Sequence, residues 1–255
     1  MSIARGWFLA LAVASGAVAG CSASLGPART SVALGASFGT AATRERSLGP
    51  TEKGSQTHQI STAGLDLAHQ FSAGPEVAVH GTVAAGRVTD ADGLDAGVGR
   101  PTWQYYSVAP RVAGTYRWLG WALGCSVYGA ADVVLPYASL RFGPARGMSG
   151  EVRYHSDRGL DDAGVLTMHG HLRGERTHLS IGSGWFGGRI MPLYTPGKTD
   201  GAPTRSIGKG PHFHEYDPGV QVEFQWQLDP STAVRAMALA SPNWLAGLTL
   251  VVSLP

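Results

Sequence analysis

Four histidines carry the densest candidate chemistry in the chain: His155, His169, His171 and His178. His169 and His171 form an H-x-H pair, and on a strand that spacing points both imidazoles to one face, as a transition-metal site requires. Imidazole suits zinc or copper, so the metal expectation is His169 and His171 with His155 or His178 beside them. No cysteine or carboxylate stands at ligand spacing. The competing reading is therefore a set of polar side chains that bond to threonine, glutamate and water, with no cofactor. His212-Phe213-His214-Glu215 supplies a second pair in a segment without strand periodicity.

Hydrolysis would need a nucleophile, a base and an orienting acid within reach of one another. His155-Ser156-Asp157 offers the residue types, but neighbours on a strand face opposite ways, so His155 and Ser156 do not pair. Ser180, His178, Glu151 and Glu223 are the other polar groups that a lipid-acting enzyme could use. Gly35-Ala36-Ser37-Phe38-Gly39 spells G-x-S-x-G but falls inside a period-two segment and not at a strand-to-helix turn, so it makes no nucleophile elbow, and no catalytic residue is assigned. Asp90-Ala91-Asp92-Gly93-Leu94-Asp95 departs from calcium-loop spacing, with Pro101 where that motif wants glutamate. Gly197-Lys198-Thr199 lacks the earlier glycine and the strand–loop–helix setting of a phosphate loop.

The elements that must position these residues are strands. Val220, Val222, Phe224, Trp226 and Leu228 share one face of a segment, and Gln221, Glu223, Gln225 and Gln227 share the other. Leu166, Met168 and Leu172 likewise oppose Thr167, His169, His171 and Arg173, while Leu179, Ile181 and Trp185 oppose His178 and Ser180. The same period of two marks twelve segments: 31–43, 58–71, 76–89, 103–117, 121–134, 137–142, 148–157, 164–174, 176–186, 219–228, 232–240 and 244–254. Short turns such as Asp229-Pro230-Ser231 join many of them, which predicts an antiparallel meander. A meander hides its edges by closing, so the expected fold is an all-β, up-and-down barrel of about ten to twelve strands. Two connections are long, Asp90 to Pro101 and Gly187 to Pro218.

The first residues read as an export signal. Arg5 gives a positive start, Gly6 to Val18 an uncharged apolar stretch, and Val18-Ala19-Gly20-Cys21 a small-residue end. Those four residues resemble the lipobox of bacterial lipoproteins. The resemblance implies cleavage before Cys21 and attachment of lipid to its sulfur. The expected layout is a signal over 1–20, a tether over 21–30 and one barrel domain over 31–255. The other reading is plain secretion with cleavage after Ala17-Val18-Ala19. Cys21 would then remain a thiol able to pair with Cys125 in an oxidising compartment. With Cys21 acylated, Cys125 has no partner.

Composition decides which solvents the faces meet. The net charge of +2 leaves no basic stripe for nucleic acid. Charged residues are 15%, well under the usual quarter, and Lys53, Lys198 and Lys209 all fall outside the strand segments. A watered face normally takes lysine freely. Aromatics cluster near segment ends: Trp103, Tyr105 and Tyr106; Trp118 and Trp121; Trp185 and Phe186; Trp244. These features together resemble an outer-membrane barrel with a structural or pore-like role and membrane lipid as its partner. The polar face, Arg153, Arg173, Gln221, Glu223 and Gln225 included, would then line the lumen. The alternative is a lipid-anchored soluble barrel, lipocalin-like, with the same residues outward and a small hydrophobic ligand or a metal within. The terminal Ser253-Leu254-Pro255 lacks the aromatic that ends many outer-membrane barrels.

Overall fold

The structure is a computed structural model, and it describes residues 28–44, 55–72, 74–91, 102–128, 133–157, 163–186, 217–241 and 244–254. The signal region with Cys21, the three lysines, His212 and His214 lie outside the described residues. So does all but the last two residues of the Gly187 to Pro218 connection.

Twelve strands form in chain order: β1 (Arg29–Arg44), β2 (Ser55–Gln70), β3 (Glu76–Ala91), β4 (Thr102–Tyr116), β5 (Leu119–Tyr128) and β6 (Val133–Phe142). They continue as β7 (Gly147–Asp157), β8 (Ala163–Arg173), β9 (Thr177–Phe186), β10 (Asp217–Gln227), β11 (Thr232–Ala240) and β12 (Trp244–Leu254). Each pairs antiparallel with its sequence neighbours, and β1 pairs with β12 from Thr30↔Leu254 to Thr40↔Trp244. The sheet is a closed barrel with no free edge, the expected fold.

An even strand count brings both ends of the barrel wall to one side. Residues 71–75, 117–118, 143–146, 174–176 and 228–231 turn the chain there. The opposite side is where β1, β3, β5, β7, β9 and β11 end and where β2, β4, β6, β8, β10 and β12 begin. The short turns have local chemistry to match. Asp229 accepts bonds from the Ser231 amide at 2.8 Å, the Ser231 hydroxyl at 2.7 Å and the Thr232 amide at 2.9 Å. Those bonds hold its carboxyl below the usual pKa.

Most segment boundaries differ from the sequence expectation by one to three residues, and two differences have a clear cause or consequence. The 121–134 segment ends at Tyr128, and Val133 and Val134 begin β6. The misleading residue is Pro136, which reads as a break yet sits within β6 opposite Cys125. The tether is also shorter, because Arg29 and Thr30 already pair with Gln70 and His69.

The faces settle which way the alternation points. Leu34, Phe38, Val83, Met168, Ile181 and Leu248 are all more than half exposed on the outer wall. Thr62, Thr82, Thr167, His169, Ser180 and Gln221 are buried within. A lipocalin-like barrel would place Val222 and Phe224 inward; here they stand outside, at 39% and 42% exposure. Glycine at tight inner positions makes room for this polar filling. A Cβ on Gly182 would collide with the imidazole of His169.

Candidate functional site

The inner wall of β6 to β11 holds a continuous polar network. Arg153 on β7 donates to Glu151 on the same strand at 3.0 Å and reaches Glu223 on β10 at 3.5 Å, spanning β8 and β9. Glu151 also meets His171 Nε2 at 2.9 Å. The other nitrogen of that ring, Nδ1, bonds to His178 Nε2 at 3.1 Å. Glu223 accepts from Gln221 Nε2 at 3.1 Å. Five of the residues expected to face the lumen or to sit in the histidine cluster therefore form one chain of contacts with Glu151: Arg153, Glu223, Gln221, His171 and His178. Removing a single partner of such a buried set leaves a charge uncompensated, which costs about 3–5 kcal/mol.

His169 sits beside this chain. Its ring stacks on His171 at 6.1 Å between centroids and 15° between planes, as the H-x-H spacing predicts. His169 Nε2 bonds to Thr167 Oγ1 at 2.9 Å, and Nδ1 faces Ser180 Oγ at 3.4 Å. The imidazole thus lies between two hydroxyls, with no carboxylate to orient it as a general base. His171 and His178 turn nitrogens toward each other rather than toward a shared centre. Among the described residues no group of three or more His, Cys, Asp or Glu is arranged to hold a metal ion. His155 lies on β7, and its side chain falls outside the description.

Arg173 and Gln225 complete the expected lumen set on either side of His178, since Arg173 pairs with His178 and His178 with Gln225. Both line a cavity of about 450 Å³ in the half of the lumen nearest the short turns. The cavity reaches Gly74, in the turn between β2 and β3. Its wall also carries Arg111, paired to Glu76 at 2.8 Å, together with Arg141 and Arg235. Toward the long connections the inner wall turns apolar, where Phe186, Met237, Leu239 and Leu245 cluster.

Sequence reasoning missed Arg141, Ser149 and Gly182 as parts of this interior, while Thr167 was placed on its polar face. The signal for Arg141 was present, since it shares a phase with Tyr137 and Ser139, both buried inside. Phe186 is a correction: grouped with Trp185 as an interface aromatic, it lies inside at 1% exposure while Trp185 is outside at 54%. One residue of offset on a strand exchanges the two faces.

The outer wall carries aromatics at two levels. Tyr116, Trp118, Phe142 and Trp226 stand near the short turns, and Phe38, Tyr106, Trp185 and Trp244 nearer the long connections. Phe38 and Trp244 meet edge to face at 5.3 Å. About ten residues of β4 separate Tyr106 from Tyr116, or about 25 Å along the barrel axis at a tilt of about 40°.

No family model and no curated protein matches the chain. Among solved structures it is similar to an outer membrane channel from Pseudomonas putida F1, with 13% identity and a TM-score of 0.48 over 92% of this chain and 98% of that one. It is also similar to a structure described under the asymmetric conductivity of engineered proteins, with 8% identity and a TM-score of 0.25 over 88% of this chain and 100% of that one.

Proposed function

We propose that this chain is an outer-membrane β-barrel with a structural or pore-like role, its short-turn end in the periplasm and Cys21 lipid-modified. The observation that carries the reading is the inverted barrel: an apolar outer wall between two aromatic levels about 25 Å apart, around a polar interior. Water around Leu34, Met168 and Leu248 would be costly, and hydrocarbon removes that cost. Short turns on the side of the termini are the periplasmic pattern of such barrels. An acyl chain on Cys21 would reach the adjacent periplasmic leaflet, a few residues before β1 begins at Arg29. The side chains that cross the lumen, Arg153 to Glu223 above all, make any aqueous path narrow.

The folded protein migrates faster than the boiled protein in detergent gels if the reading holds. Release from membranes by carbonate alone would overturn it. Mass spectrometry of the mature N-terminus tests the lipid separately, with Cys21→Ala as the unmodified reference.

A further inference from the structure

Arg141, Ser149 and Arg173 occupy three neighbouring strands, β6, β7 and β8, at the short-turn end of the interior. Ser149 pairs with His171 and Arg141 with Glu151, so Ser149 stands between the two arginines on the intervening strand. The Nε of Arg141, the Oγ of Ser149 and the Nε of Arg173 are all buried, and none has a hydrogen-bond partner among the described residues. Arg141 and Arg173 make no ion pair there either, and they lie close enough to repel each other.

The nearby carboxylates are already engaged. Glu151 serves Arg153 and His171, Glu223 serves Arg153 and Gln221, and Glu76 serves Arg111. Asp66, the other carboxylate on the cavity wall, is on β2, opposite β8 in the strand order. Two guanidinium groups and a hydroxyl therefore converge with no acceptor. Buried donors and like charges left in this state are costly, and an anion would relieve both. A guanidinium fork matches the paired oxygens of a carboxylate or phosphate, which a spherical ion does not offer.

We propose that Arg141, Ser149 and Arg173 form a binding site for a small oxyanion, a phosphate or a carboxylate, that enters the lumen from the short-turn end. The 450 Å³ cavity gives room for a small organic anion as well as for the bare ion. The site rests on the polar interior and not on the membrane reading, so the two stand or fall separately.

The test is calorimetric titration of the detergent-folded full chain with inorganic phosphate and, separately, with succinate, each in competition with chloride. At least one oxyanion binds on the order of tenfold more tightly than chloride, and the double variant Arg141→Gln/Arg173→Gln loses that preference. Arg176→Gln, which removes an exposed charge from the neighbouring turn, leaves it unchanged. The double variant also melts at a higher temperature in the absence of anion, because it removes the repulsion. Should it fail to fold, Arg173→Lys keeps the charge, loses the fork and binds several-fold more weakly. Binding of neither oxyanion above chloride overturns the site, as does equal binding by a folded double variant. Gel migration of the same samples reports on the barrel independently of either result.

Discussion

At the scale of the residue, the interior is decided by small groups in the right phase. Gly182 is opposite His169 in the register, and its missing side chain is where that imidazole lies. Gly182→Ala pushes the ring off Thr167 and Ser180 and destabilises the barrel by about 1–3 kcal/mol, seen as a lower midpoint in urea unfolding from lipid vesicles. With His169→Ala added, the second loss is much smaller than the first, because the clash has gone. Asp229 is the residue with a pH signature outside the strands. Its folded pKa is depressed by its bonds to Ser231 and Thr232, so the turn's contribution is present above about pH 4 and lost as pH falls through the lower folded value. The Ser231 and Thr232 amide resonances therefore titrate with a midpoint below the ordinary carboxylate value. Asp229→Asn, which keeps an acceptor oxygen, makes the same resonances flat across that range.

At the scale of the element, the proposed membrane reading assigns each outer-face residue a depth. Leu248 sits midway along β12 at 63% exposure, and Leu254 ends it at 46%. Leu248→Arg costs about 2–4 kcal/mol in the same unfolding measurement and Leu254→Arg about 0–1, because the cost of a lipid-facing cation falls toward the interface. Equal effects at the two sites would contradict the depth assigned to them. The twelve strands were legible because Val220 to Leu228 and Leu166 to Arg173 keep strict period two through their whole lengths. Pro136 was not, because nothing local tells a proline within a strand from one that ends it. The candidate site was half legible. Gln221, Glu223 and Arg153 announce one polar face by spacing, but that Arg153 reaches β10 depends on closure of the barrel, which no window of sequence contains. The inward phase of Arg141 was readable beside Tyr137 and Ser139, but the lack of acceptors at Arg141 and Ser149 is a property of three strands together.

At the scale of the whole molecule, the wall has unequal height. β1 to β4 run 15 or 16 residues, while β5 to β12 run 9 to 11, and the short turns align the lower ends. A tilted strand needs only about 9–11 residues to cross hydrocarbon, so under the proposed membrane reading the surplus of the first four would project beyond the bilayer on the side of the long connections. The outer face changes character with height. On β3 it runs Val77, Val79, Val83 and Ala85 and then changes to Arg87, whose Nε bonds to Gln59 of β2 at 2.9 Å. Under the same reading a cation at that height would stand outside the lipid, and the upper boundary would fall near the level of Phe38. This asymmetry gives the molecule a direction that can be measured. In a Cys125→Ser background, Gln59→Cys reacts with a membrane-impermeant maleimide on intact cells, whereas Ala145→Cys in the turn between β6 and β7 reacts only after the outer membrane is opened. The reverse pattern would invert the barrel and move the arginine-lined cavity to the cell surface. The oxyanion would then meet the site from outside the cell, with no change in the chemistry that holds it.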